Sequence, residues 1–149
     1  MAETQDPQRQ MAVDLFNYTW ELLDKPKRSQ EENDTMIHAA HASRYHWGQV
    51  GTALNLARGE WQISRVYSVV GRGEPALYHA QRSLEICREN RITDFDLAFA
   101  YEALARASAV AGDLVSAREY YTQAEQAGGQ IAEEDDHEYF NSELKTIEV

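Results

Sequence analysis

Apolar residues recur along this chain with a helical period, and turn residues divide the pattern into seven stretches. The clearest runs from Tyr101 to Ala124. Tyr101, Leu104, Ala105 and Ser108 fall at i, i+3, i+4 and i+7, on one helical face. Gly112-Asp113 interrupts the stretch, and glycine takes the left-handed conformation that ends a helix without strain. Ala117, Tyr121 and Ala124 then share one face of the next helix. Ahead of this pair, Asp6-Pro7 opens a first helix that reaches about Asp24, with Val13, Phe16, Trp20 and Leu23 as its buried stripe. Ser29-Gln30-Glu31-Glu32 has the form of a capping box and opens a second helix through about Trp47, closed by Gly48 and Gly51. Thr52 caps a third, running to Gly71, and Gly73-Glu74-Pro75 opens a fourth, running to about Asn90. Thr93 or Asp94 caps a fifth that ends at Gly112, and the sixth ends at Gly128-Gly129. Asp135-x-x-Glu138 starts a seventh, which reaches nearly to the C-terminus. No segment alternates with period two between turn signals, so no strand is expected.

The pattern repeats. Ala117, Tyr121 and Ala124 match Ala76, Ala80 and Ser83, which lie 41 residues earlier, and these match Met36, Ala40 and Ser43, a further 40 residues back. Gly71 and Gly112 each stand five residues before the repeated alanine. On the first helix of each pair, Leu104 aligns with Ile63 and Leu23, and Tyr101 with Glu60 and Trp20. A period of this length is the signature of stacked helical hairpins, each too small to bury its own apolar face.

Leu104, Ala117 and Ala124, with Tyr101 and Tyr121 as aromatic stand-ins, resemble the tetratricopeptide repeat (TPR) pattern. The resemblance covers residues 57–127 best and residues 8–47 weakly. It departs from the family in its longer period, in Ser64 and Ala105 where glycine is usual, and in Ala80 where a large aromatic is usual. It implies an all-α, TPR-like right-handed superhelix over residues 1–149. Three hairpins would occupy about 8–47, 53–90 and 94–127. A capping helix over 135–147 would turn Asn141, Glu143 and Lys145 outward. It also implies that a second stripe on each first helix lines a concave peptide-binding groove. Those residues would be Arg58, Trp61 and Arg65 on the third helix, and Phe99, Glu102 and Arg106 on the fifth. The implied function is a non-catalytic scaffold binding a protein or peptide. Guanidinium groups pair well with carboxylates, so an acidic partner suits the arginines.

Composition narrows the partners. The chain of 149 residues is 43% hydrophobic and 26% charged, as ordinary globular proteins are, and long enough to bury a core. Its formal net charge of -11 repels phosphates, which argues against nucleic acid and against anionic membranes. Cys87 is the single cysteine, so no intrachain disulfide forms, and its apolar surroundings suggest a core residue. No apolar run is long enough to span a membrane, and MAETQDPQRQ lacks the features of a signal peptide. A cytoplasmic location is the default expectation.

Signals for chemistry are few. Asp34, His38, His41 and Tyr45 share one helical face, with His46 beside them, and carboxylate and imidazole groups on one face can hold zinc. A fourth ligand would have to come from elsewhere, such as Glu60 or His79. This leaves open a second class of function, a metal-binding bundle or small metal-dependent enzyme using Asp34, His38 and His41. A helical histidine pair without a full ligand set is usually structural, and no metal or other cofactor is expected. No GxSxG, phosphate-cradling glycine loop or activated nucleophile is present.

Overall fold

The computed structural model describes residues 6–149; the first five residues of the N-terminal segment lie outside them. Seven helices follow one another: α1 (Pro7–Leu23), α2 (Gln30–Val50), α3 (Ala53–Val69), α4 (Gly73–Glu89), α5 (Asp94–Val110), α6 (Leu114–Gly128) and α7 (Glu134–Leu144). Among the described residues there is no strand, and no helix is long and apolar enough to cross a membrane.

The caps are largely those that the sequence announces. The Asp6 carboxylate accepts from the Gln8 N–H, and Ser29 and Glu32 form a full capping box. Gly71 and Gly112 take φ of 79° and 86°. In both turns the next residue donates back five positions, Arg72 to Tyr67 O and Asp113 to Ser108 O, each at 2.9 Å. Two boundaries differ from expectation. Gly48 lies inside α2, which continues to Val50 with Gly51 as its cap. The seventh helix is capped by Glu133, whose carboxylate accepts from the Asp135 and Asp136 N–H groups, and it ends at Leu144.

Consecutive helices pair as α1/α2, α3/α4 and α5/α6. Neighbouring pairs join through α2/α3 and α4/α5. The first helices also bring their backbones together, α1 with α3 and α3 with α5, whereas the backbones of α2, α4 and α6 stay apart and α2 meets α4 through the His41 and His79 rings. The first helices thus form the inner layer of the stack. One hydrogen bond marks the repeat. Ser43 Oγ donates to Ala12 O at 2.8 Å, and Ser83 Oγ donates to Ala57 O at 3.0 Å. In the third pair Ala124 and Ala98 hold these two places, both fully buried. Met36, Ala76 and Ala117, aligned in the sequence, are all fully buried too.

That bond corrects the alignment of the first helix. Ser83 follows Ser43 by 40 residues, but Ala57 follows Ala12 by 45. The connection from α1 to α2 is longer than the α3–α4 turn, and α2 starts further ahead of Ser43 than α4 does of Ser83; together they absorb the difference. Val13, Phe16 and Trp20 therefore stand where α3 carries Arg58, Trp61 and Arg65, on the inner stripe. The buried face of α1 is instead Ala12, Thr19 and Leu22. Cys87 is fully buried, and loss of water pushes its thiol pKa up to about 11.

In its packing the last helix departs from expectation at one residue, Glu143. It packs against α5 and α6, with Phe140 fully buried and Leu144 and Ile147 nearly so. Glu143 is turned inward rather than to solvent, because two inner-stripe arginines reach toward it.

Candidate binding site

Where the inner faces of α1, α3, α5 and α7 converge, they leave a cavity of about 260 Å³. Six aromatic rings line it: Phe16 and Trp20 from α1, Trp61 from α3, Phe95 and Phe99 from α5, and Tyr139 from α7. Ala57 and Ser83, the pair joined by the repeat hydrogen bond, add small side chains to the lining. The rings support one another. Trp61 lies 5.6 Å from both Trp20 and Phe99, between ring centroids, and Phe95 lies 4.6 Å from Phe99. Tyr139 extends the chain, 5.8 Å from Phe99. Tilted and edge-to-face pairs at these separations are favourable, so the wall is held by its own packing.

Arg58 and Asp96 supply the charges in the lining. Arg58 Nε donates to Asp96 Oδ1 at 2.8 Å and Nη2 donates to Oδ2 at 3.2 Å, a two-pronged link from α3 to α5. Donating to the Asp96 carboxylate raises the Arg58 pKa, against partial desolvation. The arginine side chain is 49% exposed and the aspartate 15%.

The other inner-stripe residues are engaged with α7. Phe99 is covered by Tyr139 and by Phe140, whose ring lies 5.0 Å away edge-on. Glu102 is fully buried between two guanidinium groups, at 3.4 Å from Arg65 and 3.5 Å from Arg106. Arg65 also reaches Glu143 at 3.4 Å. Arg106 donates to Glu143 O at 3.1 Å and to Thr146 Oγ1 at 2.7 Å. Burial alone would lower the Arg65 pKa, but the carboxylates of Glu102 and Glu143 outweigh it and the net shift is upward. For Arg106 burial wins, helped by repulsion from Arg65, and the shift is downward. Arg65 hydrogen-bonds the Glu143 carboxylate, whereas Arg106 hydrogen-bonds only the backbone of that residue. Of the six expected groove residues, Arg58 and Trp61 line the cavity apart from α7. Phe99 lines it beneath α7, and Glu102, Arg65 and Arg106 form a buried charge network beside it.

The histidine constellation divides. Asp34 and His38 are exposed, and Asp34 accepts a hydrogen bond from Gln30 at 3.0 Å. His41 faces the α3/α4 pair, where its Nε2 shares a 2.8 Å hydrogen bond with Tyr67 Oη. His79 stands 5.3 Å from His41, ring to ring, and its Nδ1 pairs with Glu60 Oε2 at 3.0 Å. Burial lowers the His41 pKa, and the neighbouring His79 adds to the effect. His46 bonds to Gln8 at 2.6 Å. Among the described residues no group of three or more His, Cys, Asp or Glu side chains is placed to hold a metal ion.

Sequence reasoning missed Phe95, Asp96 and Tyr139, and it assigned Phe16 and Trp20 to a buried stripe. For Phe16 and Trp20 the missing signal was the register of α1; once Ala12 is aligned with Ala57, Phe16 falls on Trp61. Comparison with known proteins finds no matching family model, no matching curated protein and no matching solved structure.

Proposed function

We propose that this chain is a non-catalytic scaffold of TPR-like superhelical form that binds a protein or peptide partner on its inner face. The observation that carries the reading is the aromatic cavity at the convergence of α1, α3, α5 and α7, with Arg58 and Asp96 in its lining. Aromatic side chains and arginine are the groups that dominate binding sites, and a cavity of this kind takes one anchoring side chain of an extended segment. The three arginines of the inner stripe already have carboxylate partners within the chain. They therefore offer less to an acidic partner than their number suggests, and the aromatic rings carry the affinity.

Panning a displayed peptide library against the protein tests this reading. Enriched peptides are expected to share one anchor residue. Tyr139→Ala, a change at a 44% exposed side chain, is expected to weaken them roughly thirtyfold while helical content holds, as truncating a hot-spot contact worth about 2 kcal/mol would. A library that yields no shared anchor, or peptides that bind Tyr139→Ala as well as the parent, would contradict it.

A further inference from the structure

We infer that the anchor is a cation, specifically a quaternary or fully methylated ammonium group. This rests on the cavity being the binding site and adds the chemistry of what enters it. Three observations point the same way. The lining presents six aromatic rings, and the faces of such rings carry the negative part of their quadrupole, which attracts a cation stripped of water. One of these rings already takes a cation from a residue outside the lining: the Arg65 guanidinium carbon lies 5.4 Å from the centroid of Trp61. The carboxylate in the lining, Asp96, has Arg58 as its only ion-pair partner among the described residues, and half of that arginine side chain is in water.

An incoming ammonium group can therefore take the place of the Arg58 guanidinium beside Asp96, and Arg58 can turn out to solvent. A methylated ammonium fits this role better than a bare one. It gives up little hydration on entry, and its methyl groups make dispersion contact with the rings. The net charge of -11 on the chain raises the local concentration of cations and disfavours a carboxylate ligand at the same place.

Titrating the full chain with choline, with its uncharged isostere 3,3-dimethylbutan-1-ol and with N-acetyl-trimethyllysine amide, by calorimetry, tests this. Choline is expected to bind at least roughly tenfold tighter than the isostere, the difference being the cation–π and carboxylate attraction. Asp96→Asn should erase most of that advantage. Arg58→Ala should enlarge it by roughly threefold or more, since it frees the carboxylate. A tighter fit for the trimethyllysine amide than for choline would identify the source as a modified peptide side chain, and the reverse order a free small molecule. Equal affinity for choline and the isostere would overturn the cation inference and leave the cavity as an apolar anchor site. Weaker choline binding in Arg58→Ala would also overturn it. If none of the three probes binds, both the inference and the proposed site fail.

Discussion

Glu102→Ala will destabilise the protein by about 3–5 kcal/mol, the cost of leaving buried charge without its partner. Glu102 is fully enclosed, and its two oxygens face Arg65 and Arg106, whose side chains are only 13% and 15% exposed. Removing the carboxylate leaves two guanidinium groups side by side in a poorly solvated space. Arg65 retains Glu143, so part of the loss is recovered; Arg106 retains a backbone oxygen and a hydroxyl, which carry no net charge. The two cations then repel each other across the vacated space. A urea denaturation series should show the midpoint falling with the slope unchanged, the mark of lost stability rather than a changed native state. Glu102→Leu should do no better, because the packing it adds does not answer the charge. Restoration is expected only when an arginine is removed as well, which a double-mutant cycle with Arg106→Leu would reveal as strong coupling.

Phe140→Ala will cost a similar amount, about 3–5 kcal/mol, for a different reason. Phe140 is the largest fully buried side chain, and it closes the end of the stack where α7 meets α5 and α6. Its ring lies so close to Gly128 that a Cβ built there would stand 2.3 Å from the ring. It also supports Phe99 edge-on at 5.0 Å, and through Phe99 the wall of the cavity. Truncation opens a void that rigid helices fill only in part. The effect should exceed simple destabilisation: peptides that depend on the cavity should bind more weakly to Phe140→Ala even where the protein remains folded. Thermal melting and peptide affinity, measured on the same variant, separate the two consequences.

The helices and their caps were legible in the sequence because each signal is local. Ser29 with Glu32, and the glycines at 71 and 112, act on neighbours within one turn. The repeat was legible on the second helices, where Met36, Ala76 and Ala117 keep one spacing and share full burial. It failed on α1, because the connection to α2 is longer than its counterparts, α2 itself starts early, and a constant period carries the error into every residue before it. Phe16 and Trp20, read as core from their spacing within α1, kept that reading because the misaligned repeat did not correct it. The fate of Arg65, Glu102 and Arg106 was not legible at all. Their burial depends on α7, whose acidic sequence reads as a solvated cap, and only the tertiary contact of Glu143 with two arginines shows otherwise. The histidine face fared similarly. Spacing put Asp34, His38 and His41 on one stripe, but α3 and α4 cover only the edge that bears His41.

The central claim is that the aromatic cavity is where this protein binds. The chain has three tryptophans, and their indole N–H signals report on it directly. Trp20 and Trp61 line the cavity, whereas Trp47 is buried elsewhere, under the guanidinium of Arg9. In a heteronuclear NMR titration with choline or 3,3-dimethylbutan-1-ol, the account predicts that the Trp20 and Trp61 indole signals move together along one binding curve while Trp47 stays in place. Movement of Trp47 alone, or no movement of Trp20 and Trp61 at saturating probe, would contradict it.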